Sequence, residues 1–460
     1  MTLACSNLTG GDPTLASVLL GGEQFWPTDP RSGHELGLPE TFLEGLILRT
    51  LLFSGNSSGR GMASTVKVPF RTVETILEHL KSRRLVTHCG SASLNDYVYA
   101  LSDEGRKRAQ SSHKECAYVG PAPVPLTDYI LSVEAQAICD QAIRRTDLAD
   151  AFYDISISEQ LLDLLGPAVN SSGGLFLYGA PGNGKSTLAT KITGCFGQQI
   201  WLPYAVIDGN EIIKVYDPAF HEEGEQPPES GGWDRRWLRV RRPTVVVGGE
   251  LTLDNLEIRN DRAANVCEAP LQMKSNCGCL LIDDFGRQRI SPEDLLNRWI
   301  VPLENHHDYL TLPSGKKIQV PFQQLIIFST NLDPADLVDE AFLRRIPYRI
   351  EVRDPEVKEF QNLFQLAAER LGCEFEKAAV EHVLNKYYRG CDRAMRRCHP
   401  RDLLLQVRNY CTYHDVAFEM RPEYFDKIAK GFFTKVQTRT LRPGTERDEE
   451  STAGGGSSHE

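Results

Sequence analysis

Apolar and polar positions in the first folded part of the chain, residues 38–117, follow the spacing of helices and of a hairpin. Apolar positions between 42 and 52 predict a first helix. Another helix carries an i, i+3, i+4, i+7 stripe: Val73, Ile76, Leu77 and Leu80. Two apolar runs, 85–89 and 97–101, flank a polar loop and predict paired strands. Helix, short helix, turn, longer helix and hairpin in this order predict a winged helix-turn-helix.

The longer helix of this domain bears on what the domain would bind. Its basic residues suit the phosphates beside a DNA major groove: Arg71, Lys81, Arg83 and Arg84. Glu74 and Glu78 lie on the same helix, and carboxylates facing DNA would repel its phosphates. DNA binding and protein docking therefore both remain open, with protein docking favoured.

Apolar runs and turn-rich stretches divide the rest of the chain. Residues 1–37 are rich in Gly, Pro, Ser and Thr and are predicted to be a flexible arm, and residues 434–460 a disordered tail. A Pro-rich linker and a helix occupy 118–150. Short apolar strands between helices predict an α/β domain at 151–352, and helical periodicity predicts a helical lid at 353–433.

Composition narrows the class of protein. The chain has 460 residues and no apolar run near the roughly 20 residues that span a bilayer, so we expect a multidomain cytoplasmic protein without membrane insertion. The twelve cysteines are scattered and no secretory signal precedes them, which favours reduced thiols. A net charge of −11 disfavours nonspecific binding of polyanions by the whole molecule.

Residues 179–186 read Gly-Ala-Pro-Gly-Asn-Gly-Lys-Ser, a complete phosphate-binding loop that lies between an apolar strand and a helix. Backbone N–H groups of the loop would surround phosphate oxygens and Lys185 would contact the β- and γ-phosphates. The hydroxyl of Ser186 would ligate Mg²⁺. We expect these residues to bind a nucleoside triphosphate: Gly179, Ala180, Pro181, Gly182, Asn183, Gly184, Lys185, Ser186 and Thr187.

Two carboxylates end a later apolar run. The run 279–282 leads directly into Asp283 and Asp284, which is a Walker B arrangement. In this arrangement Asp283 would hold Mg²⁺ and Asp284 would polarise the attacking water. A buried strand end rarely carries two charges without a function, because burying unpaired charge is costly.

Further polar residues follow in an order that suits the same chemistry. Asn331 ends another apolar run, where its side chain could hydrogen-bond the γ-phosphate and the attacking water. Arg344 and Arg345 follow a predicted helix and suit an arginine that reaches a phosphate bound by a neighbouring subunit. Arg401 lies in the first turn of a predicted helix, where a cation is unfavourable unless an anion is near.

This ordered set resembles the AAA+ ATPase superfamily over about residues 150 to 432. The resemblance implies an α/β P-loop core with a parallel sheet and a C-terminal helical lid. It also implies ATP with Mg²⁺, and hydrolysis at the subunit interfaces of a homo-oligomeric ring. In its terms Asn331 is sensor 1, Arg345 is the arginine finger with Arg344 as the alternative, and Arg401 is sensor 2.

Details of the sequence refine this resemblance. A hairpin predicted at 309–322 is similar to that of the Clp/Hsp100 and MoxR-type clades. Asp284 stands where most members have Glu, and roughly 95 residues separate the phosphate loop from Walker B, which predicts an insertion at about 219–275. Residues 231–242 of that insertion contain five arginines and two tryptophans. They suit a surface facing a neighbouring subunit, a substrate-gripping pore loop or a nucleic-acid contact.

The sequence therefore leaves three functions open. The favoured one is an ATP-hydrolysing machine that remodels a protein or a protein complex. The first alternative is a DNA-associated initiator, loader or regulator that binds DNA through the winged helix. The second is a nucleotide-gated docking module with negligible turnover. No base-reading motif is recognisable, so ATP is preferred over GTP only because the resemblance implies it.

Overall fold

A computed structural model provides the structure of most of the chain. The residues described are 25–138, 142–171, 173–197, 199–228, 231–337 and 340–433. Residues 1–24 of the predicted arm and the whole predicted tail, 434–460, lie outside the described residues. The chain divides into two units: Met1–Phe360 with Met395–Cys398, and Gln361–Ala394 with His399–Glu460.

The first unit begins with helices packed on a small antiparallel sheet. In chain order its elements are α1 (Glu40–Ser54), β1 (Asn56–Ser58), α2 (Gly59–Val66), α3 (Phe70–Ser82), β2 (Val86–Ala92), β3 (Asp96–Leu101) and α4 (Asp103–Glu115). The strand order is β1-β3-β2. Leu46 and Leu77 are completely buried between the helices, and Asp96 accepts hydrogen bonds from the first backbone N–H groups of α2. The helices and the hairpin lie where the pattern predicted them, and the winged helix-turn-helix stays a prediction.

The α/β part of the first unit follows. Its elements are β4 (Val124–Pro125), α5 (Leu126–Ala135), α6 (Arg145–Ala151), α7 (Glu159–Asn170), β5 (Gly174–Tyr178), α8 (Lys185–Ile192), β6 (Gln199–Pro203), β7 (Ala205–Asp208), β8 (Glu211–Lys214), β9 (Trp237–Arg241), β10 (Thr244–Val247), β11 (Arg259–Asp261), β12 (Val266–Glu268), α9 (Leu271–Lys274), β13 (Cys279–Ile282), α10 (Pro292–Asn305), β14 (His307–Thr311), β15 (Lys317–Pro321), β16 (Leu325–Thr330), α11 (Pro334–Leu337), α12 (Glu340–Leu343) and β17 (Tyr348–Glu351). These strands form two five-stranded sheets and two antiparallel pairs, β14-β15 and β6-β9.

The central sheet is parallel throughout. Its strands lie in the order β10-β13-β16-β5-β17, and every neighbouring pair is parallel. All residues of β13 and β16 are buried, as expected for strands of a parallel sheet that is covered on both faces. The predicted α/β P-loop core with a parallel sheet is therefore confirmed. Because the strands are parallel, the segments that follow β5, β13 and β16 all leave the same edge of the sheet.

A second sheet, in the order β11-β12-β8-β7-β4, and the antiparallel pair β6-β9 make up the extra β structure. The bounds of the predicted insertion, about 219–275, stay a prediction. That interval includes β10, which pairs with β13 as an edge strand of the central sheet, and other strands of the extra β structure lie before it, at 124–125 and 199–214. Thr244–Val247 is a short apolar run, and such a run does not reveal from its own sequence which sheet it joins.

Half of the residues in the arginine- and tryptophan-rich segment 231–242 are buried. Arg236 pairs with Asp234 at 2.8 Å, and both side chains are almost completely buried. Trp237 is 1% exposed, and Arg242 is buried with hydrogen bonds to two backbone carbonyls. These side chains join parts of the first unit to one another. These buried side chains cannot reach a substrate, whereas Arg235 and Arg241 of the same segment are exposed, so the alternatives for the segment stay predictions.

The second unit is helical. It contains most of α13 (Val357–Leu371), together with α14 (Lys377–Val383), α15 (His399–Tyr413) and α16 (Pro422–Phe432). Phe364 and Phe425 pack edge to face, with ring centroids 6.2 Å apart. Asp426 of α16 accepts hydrogen bonds from Tyr387 and Lys386. These helices occupy the interval that was predicted as the helical lid.

Candidate active site

The phosphate-binding loop, residues 179–186, connects β5 to α8. Two of its glycines have backbone angles and surroundings that other residues would not tolerate. Gly179 has φ +133°, and a Cβ there would lie 2.6 Å from the carbonyl oxygen of Val352. Gly182 has φ +83°, and a Cβ there would lie 2.6 Å from the Sγ of Cys398. The motif has glycine at these two positions because other parts of the first unit pack directly against the loop.

Lys185 and Asn331 join the loop to the end of β16. The ammonium group of Lys185 donates to Asn331 Oδ1 at 2.8 Å and to the carbonyls of Gly179 and Ala180. Asn331 Nδ2 in turn donates to Asp284 Oδ1 at 3.0 Å. Three predicted catalytic residues, from three different segments of the chain, therefore form one hydrogen-bonded row.

Ser186 and Asp283 form the neighbouring pair. The hydroxyl of Ser186 donates to Asp283 Oδ2 at 2.7 Å. The backbone N–H of Asp283 donates to Val247 O, which ties the end of β13 to β10. Asp284 adopts φ +49°, a left-handed conformation that Asp accepts more readily than most residues. Its backbone turn directs the chain away from the sheet immediately after the two carboxylates.

The remaining predicted loop residues take less specific positions. Pro181 and Thr187 are exposed, and Gly184 caps the N-terminus of α8 with φ +83°. Backbone N–H groups at the start of a helix are hydrogen-bond donors without intrahelical partners, and they favour an anion. The backbone of the loop therefore supplies the phosphate-binding groups that the motif predicts.

Residues 395–398, called the strap below, contact the loop and were not identified from the sequence. The buried side chain of Asn183 donates to Asp354 Oδ1 at 2.7 Å and accepts from the backbone N–H of Arg397. The N–H of Cys398 donates to Gly182 O at 2.9 Å, and Arg396 forms an ion pair with Asp354. The basic stretch 386–397 includes Arg396 and Arg397, but nothing in the sequence connects them to Asn183, whose position the motif leaves unspecified.

Charge is concentrated around Lys185. Its burial lowers the pKa of the ammonium group, Asp283 and Asp284 act in the opposite direction, and Arg396 adds to the lowering. Lys185 is 7% exposed. A buried cation near a second cation favours an anionic ligand, because phosphate oxygens would stabilise both charges.

The three predicted arginines have different surroundings. Arg345 donates from Nε to Glu304 Oε1 at 2.7 Å, whereas Arg344 lines a small surface pocket beside Glu340. Arg401 belongs to the second unit, where its exposed guanidinium pairs with the adjacent Asp402. Within the described part of the first unit, no hydrogen bond joins Arg344 or Arg345 to the row of Lys185, and the roles of all three arginines stay predictions.

The predicted hairpin at 309–322 corresponds to β14 and β15, which pair in antiparallel register. Its tip is held by the β7–β8 turn: Ser314 Oγ donates to Glu211 at 2.6 Å, and Lys316 pairs with Asp208. The tip therefore contacts the extra β structure of the same chain.

Strand order, the loop between β5 and α8, and the polar residues after β13 and β16 define an α/β core of the P-loop type. No helix among the described residues is long and apolar enough to cross a bilayer.

Residues 356–430 match the family model of a domain of unknown function, DUF8689. No curated protein matches the sequence. Similar solved structures include the RuvB Holliday junction branch migration motor of Thermotoga maritima, with 18% identity and a TM-score of 0.36 over 60% of this chain and 69% of that chain. A mutant of the same RuvB has 17% identity and a TM-score of 0.37 over the same shares. NtrX of Brucella abortus has 13% identity and a TM-score of 0.35, over 56% of this chain and 51% of that chain.

Proposed function

We propose that the chain is an ATPase of the AAA+ type that acts as a homo-oligomer and remodels a protein or a protein complex. The observation that supports hydrolysis is the row Lys185, Asn331 and Asp284, joined by hydrogen bonds of 2.8 and 3.0 Å. A structural role alone would not require a buried ammonium group, an amide and a carboxylate at the end of a phosphate loop. Each of the three has a separate task in phosphoryl transfer.

The side chains next to this row fit a magnesium ion. Ser186 and Asp283 supply a hydroxyl and a carboxylate oxygen 2.7 Å apart, and hard oxygen donors are the ligands that Mg²⁺ prefers. When bound, Mg²⁺ would neutralise charge on the β- and γ-phosphate oxygens. Ser186 and Asp283 are therefore the residues that would hold it, with Asp283 contacting it directly or through water.

The residues of the row would act as follows. The ammonium group of Lys185 exchanges its bonds to backbone carbonyls for bonds to phosphate oxygens. Asn331 orients the γ-phosphate and the attacking water through its amide. Asp284 accepts a hydrogen bond from that water, so that the water oxygen attacks phosphorus as the bond to ADP breaks. As an aspartate, it is one methylene shorter than glutamate, so the water must lie close to β13.

An arginine from a neighbouring subunit would complete the site. Arg345 is the proposed residue and Arg344 the alternative, since both follow α12 at the end of the α/β core. A guanidinium brought to the γ-phosphate would stabilise the charge that develops in the transition state. Arg401 is proposed to report on the nucleotide from the second unit.

One contact favours a protein over DNA as the substrate. Arg83, which follows α3 and is among the predicted DNA-binding residues, already pairs with Glu44 at 2.7 Å. A phosphate contact by Arg83 would first require breaking this pair. The alternative, a DNA-associated ATPase, becomes the outcome if DNA binds tightly.

Hydrolysis is tested by measuring phosphate release from ATP by the full chain. Lys185→Ala and Asp284→Asn are expected to lower turnover by at least about 100-fold, and Asp284→Asn is expected to keep ATP affinity. If the wild-type protein shows no turnover at any protein concentration, the proposal is contradicted and the nucleotide-gated docking module is supported.

The interface arginine is tested by comparing single variants. Arg345→Ala is expected to lower turnover by about 1,000-fold, whereas Arg353→Ala, an exposed arginine of the same region, leaves it unchanged. If Arg344→Ala abolishes turnover and Arg345→Ala does not, the alternative assignment holds. Mixing Arg345→Ala with Lys185→Ala protein should restore part of the activity, because each supplies the half that the other lacks.

The substrate class is tested by titrating the full chain with duplex DNA at increasing salt. Weak binding that is unchanged in Arg71→Glu supports a protein substrate. Tight binding that falls steeply with salt and is lost in Arg71→Glu would replace remodelling of proteins by a DNA-associated role.

A further inference from the structure

A polar cavity is lined by residues that are distant in sequence from the phosphate loop. It has a volume of about 860 Å³ and is lined by α1, α4 and the loops around Asn210 and Asn265. This volume is in the range of small-molecule sites, which are roughly 300–1,000 Å³. We call it the Arg49 cavity after the side chain that characterises it.

Arg49 is a buried cation without a carboxylate partner among the described residues. The residue is 4% exposed; its Nε donates to Tyr118 O at 3.0 Å and its Nη1 to Ser112 Oγ at 2.7 Å. Its Nη2 is buried and has no hydrogen-bond partner. Burial lowers the pKa of Arg49, and Cys116 and Glu115 act in the opposite direction. An uncompensated buried guanidinium is costly, and such a group calls for a ligand or an ion.

The absence of a side chain at Gly45 leaves space next to Arg49 in the wall of the cavity. A Cβ at Gly45 would lie 3.0 Å from Ser112 Oγ and 3.2 Å from Arg49 Nη1. Glycine inside a helix costs about 1 kcal/mol relative to alanine. Gly45 therefore weakens α1 while leaving space beside the guanidinium.

The charges that line the cavity favour an anion. Four cationic side chains line it, Arg49, Arg83, Arg108 and Lys114, and Arg83 pairs with Glu44. The three lining carboxylates, Glu40, Glu44 and Glu115, leave one positive charge in excess. The remaining positive charge would attract a negatively charged ligand.

From these observations we infer that the Arg49 cavity binds a small organic anion that bears a carboxylate or phosphate group. The anionic group would accept from the guanidinium of Arg49, with Arg108 and Lys114 at the rim. Arginine is suited to this task because its planar fork matches carboxylate and phosphate oxygens. This site is separate from the phosphate loop and does not depend on ATP hydrolysis.

The test is calorimetric titration of the full chain with two probes, citrate and inorganic phosphate. We expect one saturable site at millimolar concentration for at least one probe, and the same site in Lys185→Ala, which weakens the phosphate loop. Stronger binding of citrate would indicate a carboxylate ligand, and stronger binding of phosphate would indicate a phosphorylated one.

Matched variants on α4 locate the site. Arg108→Glu is expected to weaken binding on the order of tenfold, whereas Arg106→Glu, an exposed residue of the same helix outside the cavity, changes it less than about twofold. Gly45→Ala fills the space beside Arg49 without removing a charge and is also expected to weaken binding.

Three results would overturn the inference. The first is that neither probe binds, and the second is that binding disappears in Lys185→Ala, which would place it at the phosphate loop. The third is equal loss in Arg106→Glu and Arg108→Glu, which would indicate attraction to α4 in general.

Discussion

Replacement of Asn183 by alanine should loosen the phosphate loop more than its place in the motif suggests. The side chain is 1% exposed and makes three hydrogen bonds, to Val352 O at 3.2 Å, to Asp354 Oδ1 at 2.7 Å and from the N–H of Arg397 at 3.3 Å. After Asn183→Ala, Asp354 keeps Arg396, but the carbonyl of Val352 and the N–H of Arg397 lose a buried partner.

The size of the effect follows from these three bonds. Each neutral bond contributes about 1 kcal/mol net and the bond to the carboxylate about 1.5–3 kcal/mol, so the loss is about 3–5 kcal/mol. Nucleotide binding should weaken as well, because the backbone N–H groups of the loop would no longer be held in position.

Hydrogen exchange of the loop amides measures this directly. A loss of about 3 kcal/mol corresponds to exchange faster by at least about 100-fold in the loop. Asn297→Ala, at an exposed position of α10, serves as the control and should leave exchange unchanged. If amide exchange and nucleotide affinity are the same in Asn183→Ala as in Asn297→Ala, the strap does not stabilise the loop and the reasoning fails.

Three further substitutions give expected outcomes. Asp234→Ala leaves the buried guanidinium of Arg236 without its carboxylate and should lower the free energy of unfolding in urea by about 3–5 kcal/mol. A decrease below about 1 kcal/mol would show that water replaces the carboxylate. Gly105→Ala places a Cβ 1.8 Å from a backbone carbonyl oxygen, so the thermal midpoint should fall clearly; an unchanged midpoint would mean that α4 shifts at no cost. Glu304→Gln removes the charge that holds Arg345 and should lower ATP turnover several-fold while changing stability by less than about 1 kcal/mol, since the pair is partly exposed. Equal turnover in Glu304→Gln and wild type would exclude an orienting role for that carboxylate.

The parts of the site that the sequence predicted are those carried by contiguous segments. Lys185 and Ser186 belong to one motif, and Asp283 and Asn331 each end an apolar run. Since parallel strands place the residues that follow them at one edge, their convergence could be expected. Local pattern therefore sufficed for the row Lys185, Asn331 and Asp284.

The strap could not be predicted in the same way. Asn183 bonds to residues 169, 171 and 214 positions further along the chain, and no periodicity connects such distant segments. The bounds of the insertion are hard to predict for a related reason. Thr244–Val247 has the apolar character of both sheets, and its partner, β13, determines which one it joins. Arg49 likewise lies in an apolar helix, where only the three-dimensional surroundings reveal a cation without a counter-charge.

The division of the chain into two units has a consequence for how it can be cut. The polypeptide passes between the units at Phe360/Gln361, at Ala394/Met395 and at Cys398/His399, because the strap belongs to the first unit while both of its flanks belong to the second. One cut at Phe360/Gln361 separates residues 1–360 from the rest but leaves the strap attached to the second unit, and one cut at either of the other junctions leaves part of the second unit attached to the first. A fragment containing the whole second unit and nothing else cannot be released from this chain. A chain that ends near residue 360 lacks the strap as well as the helices of the second unit, so its nucleotide affinity will not report that of the intact loop.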